Sequence, residues 1–179
     1  MKMFTQPKEV IAQFDIVPGM TVVDMGAGSG HSTVALSHAV GENGIVFAVD
    51  IQKEILDRLR SDFVEQGIIN VELMWGDIEH PRGTKIKDSS VDRAVMSNTM
   101  FELEDKPGAV EELKRILKPD GKVLFVDWSD SNEGLGPIPE AIITPDIAKN
   151  LFENGGFYFD HDVSTGEHHY GIVFRKRNI

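Results

Sequence analysis

The nine residues Val22-Val23-Asp24-Met25-Gly26-Ala27-Gly28-Ser29-Gly30 constrain the fold more than any other stretch. A short apolar run ends in an acid, glycines follow at alternate positions, and a helical run begins at once with Val34, Ala35 and Leu36. Strand, glycine turn and helix N-terminus, in that order, let bare backbone approach a ligand closely.

The flanking sequence repeats the alternation. Thr5 to Phe14 predicts a first helix, with Thr5 as N-cap, Pro7 in the first turn and Val10, Ile11 and Phe14 on one face. The opening strand covers Thr21 to Met25, and the helix after Gly30 stops near Gly41. Ile45 to Val49 is a nearly unbroken apolar run ending at Asp50, as a strand buried on both faces requires. Gln52 to Gln66 carries Ile55, Leu56, Leu59, Phe63 and Val64 at helical spacing, and Gly67 stops it. A third strand, Val71 to Trp75, runs into Gly76-Asp77.

Glu79 to Ser90 is polar, broken by Pro81 and Gly83, and reads as loop or weak helix. Val91 to Ser97 is a fourth strand, and Asp105 caps a helix carrying Val110, Leu113, Ile116 and Leu117. Lys118 to Gly121 turns into a fifth strand, Lys122 to Asp127. Trp128 to Ile143 is irregular; a helix from Thr144-Pro145 ends at Gly155-Gly156. Phe157 to Val163 and His168 to Phe174 form an antiparallel hairpin around Ser164-Thr165-Gly166.

Strands alternating with helices argue for a doubly wound, Rossmann-like α/β sheet of seven strands with helices on both faces. It is mostly parallel, with one antiparallel strand from the C-terminal hairpin, expected at the sheet edge. The 179 residues are expected to form a single domain over 1–179. Ligands of such sheets sit at the C-terminal strand ends, where Asp24, Asp50, Asp77, Ser97 and Asp127 fall.

Composition narrows the chemistry. There is no cysteine, which removes disulfides, thiolate metal sites and cysteine nucleophiles. A net charge of -11 disfavours nucleic-acid partners. No apolar run reaches the ~20 residues of a membrane helix, and Met1 to Pro7 lacks the apolar core of a signal peptide, so a cytoplasmic location is expected. Among the histidines, His168 and His169 point to opposite faces of a strand, and no metal is expected.

The glycine spacing departs from a dinucleotide fingerprint, which counted from Gly26 would need a glycine where His31 stands. Asp24, two residues ahead of Gly26, would repel a pyrophosphate and suits an ammonium or sulfonium. Asp50 offers two coplanar oxygens to both hydroxyls of a ribose. Asp77 is placed to accept from an exocyclic amine such as that of adenine. Cationic group, ribose and adenine together describe S-adenosylmethionine.

Over nearly its full length the chain resembles the class I S-adenosylmethionine-dependent methyltransferases. Val22 to Gly30 matches the first motif, Phe47 to Asp50 the acidic second strand, and Gly76-Asp77-Ile78 the adenine motif. Ala94 to Asp105 and Leu117 to Leu124 are similar to the subgroup containing ubiquinone and menaquinone biosynthesis methyltransferases. The resemblance implies that Gly26, Ala27, Gly28 and Gly30 line the methionine and ribose with backbone, and that Asp24 acts on the ammonium, directly or through water. It further implies that Asp50 takes the ribose hydroxyls with Ile51 against adenine, and that Asp77 and Ile78 hold adenine's amine and ring edge. It implies, too, that Ser97 and Asn98 close the methionine side, mainly through backbone oxygens.

Methyl transfer from a sulfonium is an in-line displacement, accelerated largely by alignment and exclusion of water. A general base is needed only where the acceptor still carries a proton. His31, His80, Glu102, Asp105 and Asp127 are candidates by position; no partner at diagnostic spacing selects one, so the catalytic residue stays unassigned. The loop Ser97 to Phe101 lacks the Asn-Pro-Pro-Tyr type motif of amino-methylating nucleic-acid enzymes. A small-molecule acceptor is expected between the N-terminal segment and the loops 98–104 and 128–143. Only about 20 residues precede the first strand, where relatives often carry lid helices, so an open site is expected, completed by the acceptor, a partner chain or a homo-oligomer. Two rivals stay in view: an NAD-type oxidoreductase, and a catalytically silent cofactor-binding or partner module.

Overall fold

The computed structural model describes residues 6–178, apart from the side chain of Glu133. Its strands are β1 (Thr21–Met25), β2 (Ile45–Asp50), β3 (Val71–Trp75), β4 (Val91–Ser97), β5 (Leu117–Trp128), β6 (Phe157–Val163) and β7 (His169–Lys176). Its α-helices are α1 (Pro7–Ile11), α2 (His31–Val40), α3 (Lys53–Glu65), α4 (Lys106–Ile116) and α5 (Pro145–Asn154). The strands form one sheet in the order β3-β2-β1-β4-β5-β7-β6, parallel from β3 through β5 and antiparallel at both β7 pairings. The order reverses at β1/β4, the crevice where such sheets bind ligands.

Period-two alternation splits the core between two faces. Val23, Met25, Ala94, Met96, Val123 and Phe125 pack against α4 and α5. Val22, Val46, Val95, Leu124 and Val173 pack against α1 and α2, and Ala48 with Leu73 against Leu59 and Phe63 of α3. A stack of Phe152 on Phe174, with ring centroids 4.2 Å apart, seats α5. Asp24 faces the α2 side, which decides its partner below.

The structure differs from expectation in three places. The hairpin's antiparallel strand, β7, lies one position inside the edge; β6 forms the edge and returns parallel to β5. Seating the apolar β7 (Ile172, Val173 and Phe174, all buried) next to β5 leaves the polar β6 at the rim. Second, β5 begins at Leu117, paired with Val91, directly after α4, and residues 118–121 bulge out before Lys122 pairs with Arg93. Third, α1 is shorter than the run to Phe14; Phe14 is fully buried without being helical, and the expected Thr5 cap lies outside the described residues. Of the two alternatives for residues 79–90, the structure takes the loop. It is pinned by Glu112 of α4, buried at 1 % exposure. Its carboxylate accepts from the N–H groups of Arg82 and Thr84 and the Thr84 hydroxyl, and from the Arg115 guanidinium at 2.7 and 2.8 Å.

Candidate active site

The cavity at the C-terminal strand ends has a volume of about 450 Å³, within the range of small-ligand sites. The turn after β1 forms its floor. Gly26 sits at φ 88°, and a Cβ there would stand 2.6 Å from Thr99 Oγ1, so only glycine fits. Thr99 hydroxyl donates toward the Met25 and Ser97 carbonyls at 3.3 and 3.1 Å, tying the ends of β1 and β4 together. Thr99 escaped sequence reasoning because its role is set by a neighbour 73 residues away in the chain.

Asp50, at the end of β2, is buried, and both its oxygens already accept backbone bonds. Gly28 N–H donates to Oδ2 at 3.0 Å and Gln52 N–H to Oδ1 at 2.9 Å. Each oxygen has capacity for a further hydrogen bond, and Asp50 borders the cavity. Arg58 of α3 donates to the Gly28 carbonyl at 2.9 Å, clamping the glycine turn from the other side.

Of the eleven residues expected at the cofactor, Gly26, Ala27, Gly28, Asp50, Ile51, Asp77, Ile78, Ser97 and Asn98 line this cavity. Asp24 and Gly30 do not. Gly30, at φ 82°, opens α2, and a Cβ there would stand 2.4 Å from Leu59 Cδ2; its requirement is close packing on α3. Asp24 lies under the turn at 1 % exposure, where Thr33 hydroxyl donates to Oδ2 at 2.6 Å. Burial pushes its pKa up to about 7, opposed by the Thr33 bond and reinforced by the Asp50 charge. The period-two pleat turns this side chain toward α2 and away from the cavity.

The wall after β3 is shaped by Asp77, whose Oδ1 accepts from Glu79 N–H at 2.9 Å, with His80 Nδ1 at 3.3 Å from Oδ2. Ile78 is buried below it. Trp75 flanks this rim: its indole N–H donates to the Ile51 carbonyl at 2.9 Å, and Lys53 and Lys85 sit over its ring. The opposite wall is the loop after β4, with Asn98 in the left-handed region at φ 54° and a short 3-10 turn, Met100–Glu102.

Among the five candidate bases, His31 and Glu102 border the cavity. His31 Nδ1 lies 2.8 Å from the Ser29 hydroxyl. Asp105 is occupied as the N-cap of α4, accepting from Gly108 N–H at 3.0 Å, and His80 pairs with Asp77. Asp127, at the end of β5, is buried at 1 % exposure. Its Oδ1 accepts from Trp128 N–H at 2.8 Å, and its Oδ2 has no partner among the described residues. Burial raises its pKa to about 7, with Glu102 adding to the rise and Lys106 opposing it.

A methyltransferase-domain family model matches residues 16–156. The chain belongs to this family. An S-adenosylmethionine-dependent methyltransferase from Aquifex aeolicus superposes with a TM-score of 0.88 at 30% identity, over 97% of this chain and 90% of that one. The YcgJ protein of Bacillus subtilis shares the fold, with a TM-score of 0.77 at 18% identity, over 97% and 99% of the two chains. The ubiquinone/menaquinone biosynthesis C-methyltransferase UbiE of a Shewanella species (strain ANA-3) is 33% identical over 113 residues, 63% of this chain. The matched stretch spans 44% of that relative's length. An oxidoreductase reading is not supported, since both the family model and the 30%-identical structure are methyltransferases.

Proposed function

We propose that the chain is a methyltransferase that takes S-adenosylmethionine in the cavity at the β1/β4 crevice and serves a small-molecule acceptor. The observation that carries the reading is Asp50, a buried carboxylate at the cavity wall whose two oxygens are each fixed by one backbone N–H and can each accept another bond. That is the arrangement a ribose diol needs. Family membership and the similarity to the Aquifex aeolicus protein support the same donor. The bound donor supplies a methyl group on a sulfonium, with a neutral thioether as leaving group.

The chain's own residues bind and orient. Gly26 to Gly28 bring backbone against the methionine and ribose, while Ile51 and Ile78 give apolar edges to adenine and Asp77 an acceptor for its amine. Asn98 and Ser97 border the methionine end. Asp24, set beneath the turn and bonded to Thr33, supports the turn and does not border the cavity.

The test is thermal unfolding with S-adenosylhomocysteine, S-adenosylmethionine and NAD. At about 100-fold over its dissociation constant, an adenosyl ligand adds ~2.7 kcal/mol, which in a protein of this size raises the melting temperature by about 5–10 °C. No shift with either adenosyl ligand, or a shift with NAD alone, overturns the reading.

A further inference from the structure

Three buried side-chain polar atoms lack a hydrogen-bond partner among the described residues: Asn98 Oδ1, Asp127 Oδ2 and His169 Nε2. Orphans of this kind are rare in folded proteins and ask for an explanation. His169 has one of its own: it lies on the other sheet face, its ring against Trp128 with centroids 4.2 Å apart, and its lowered pKa keeps it uncharged through burial. The other two belong together. Ser97 pairs with Val126, and Asn98 N–H donates to the Val126 carbonyl at 2.9 Å, so Asn98 and Asp127 stand side by side at the end of the β4–β5 ladder.

Both orphaned atoms are oxygens that accept hydrogen bonds. What they lack is a donor. Asn98 borders the cavity, as do Glu102 and Leu103 of the same loop; Asp127 lies beside Asn98 in register, buried just outside the lining, so an acceptor reaches it past Asn98. Resting on the methyltransferase reading above, we propose that Asn98 and Asp127 form the acceptor subsite, which recognises an acceptor bearing an acidic O–H or N–H and takes its proton on Asp127 Oδ2. In the transfer the acceptor's new bond to carbon forms as the donor's C–S bond breaks. The sulfur leaves as a neutral thioether, and the proton passes to Asp127 and then to solvent. Charge balances: a sulfonium and a carboxylate become a thioether and a carboxylic acid.

The surroundings fit the task. Asp127 faces Glu102 from the β4 loop, Lys106 from α4 and Tyr170 from β7. Lys106 is tied to the Leu103 carbonyl and Tyr170 hydroxyl donates to the Ile143 carbonyl, so neither satisfies Oδ2. Burial and the Glu102 charge bring the carboxyl up to about 7, where a base shares its proton readily near neutral pH.

The probe is phenol, with anisole as the same ring lacking the donor. Protein saturated with S-adenosylhomocysteine is titrated with each, following the amide signals of Asn98 and of Trp128, whose N–H rests on Asp127 Oδ1. Phenol is expected to move both signals and to bind at least tenfold more tightly than anisole. Its affinity should fall about tenfold from pH 8 to pH 6, as one carboxylate of pKa near 7 takes up its proton. Asp127→Asn, of the same shape, should erase the preference and the pH dependence while leaving S-adenosylhomocysteine affinity within twofold. Equal binding of the two probes, signals that do not move, or a pH profile unchanged in Asp127→Asn overturns the subsite. Failure of S-adenosylhomocysteine to bind the unaltered protein overturns the donor reading instead.

Discussion

Asp50 and Asp24 are two acids at neighbouring strand ends with opposite solutions to burial. Asp50 is ringed by donors, Gly28 N–H and Gln52 N–H, and faces the cavity. Asp24 has one donor, Thr33, and faces a helix. Removing the first should therefore act on ligand and loop together. Asp50→Ala strands two backbone donors, at about 1–3 kcal/mol for each that finds no water, and deletes the ribose acceptors. The expected outcome by calorimetric titration is a loss of at least about 100-fold in S-adenosylhomocysteine affinity, ~2.7 kcal/mol. Retained affinity within threefold would discard the ribose role. The place of Asp50 and Gly26 at the cavity was legible in the sequence because strand ends and a glycine turn of a doubly wound sheet fall at its crevice. What holds Gly30 was not legible, for a physical reason: a glycine needed for a ligand and one needed for a helix contact look alike until Leu59 is seen against it.

At the scale of elements, the parallel strands and their helices followed from hydrophobic period and from acids at strand ends. What was hidden depends on partners distant in sequence. Nothing in the polar run 79–90 says why it is ordered; the answer is Glu112, 22 residues beyond it, which reads as a solvated helix position but is buried. Arg115, Thr84 and two backbone N–H groups satisfy it, and Arg115 also pairs with Asp88. Burial alone would raise the Glu112 pKa; the bonds from Arg115 and Thr84 outweigh it and hold it low. Glu112→Ala leaves Arg115 and the loop donors without their partner, a loss expected at about 3 kcal/mol in urea unfolding. Because the same loop carries Asp77 and Ile78, S-adenosylhomocysteine binding should weaken as well, although Glu112 does not border the cavity. An unchanged affinity would separate the loop anchor from the site. The hairpin order was likewise out of reach, since both arrangements of β6 and β7 satisfy the same alternation. The choice turns on which strand can be buried on both faces.

Across the described residues, the buried or partly buried carboxylates with displaced pKa values fall into two sets whose effects on stability have opposite sign. Asp24 and Asp127 have folded pKa values near 7, against 3.8 as the ordinary value. The folded state thus holds protons that the unfolded state has released. Their contribution is complete below pH 4 and is lost as pH rises through about 7. Asp15, Asp92, Glu112 and Asp160 are held low in spite of burial, by Arg93 and Lys122, by Lys118, by Arg115, and by His161 and Lys122 respectively. Their contribution is present above pH 4 and lost on acidification. His169, lowered by burial from 6.5, sides with this second set, losing its contribution as pH falls. The raised set loses its contribution above about pH 4 and the lowered carboxylates below it, so stability in the absence of ligand should peak near pH 4–5, fall until about pH 7 and level off above that. Each raised carboxylate accounts for on the order of 2–4 kcal/mol of that fall. Asp24→Asn isolates one of them. Urea unfolding from pH 4 to 8 should show a shallower alkaline fall in the variant than in the unaltered protein, whatever their absolute stabilities. Parallel curves would mean that Asp24 does not titrate in this window, and that the acid beneath the glycine turn is carried ionised at neutral pH.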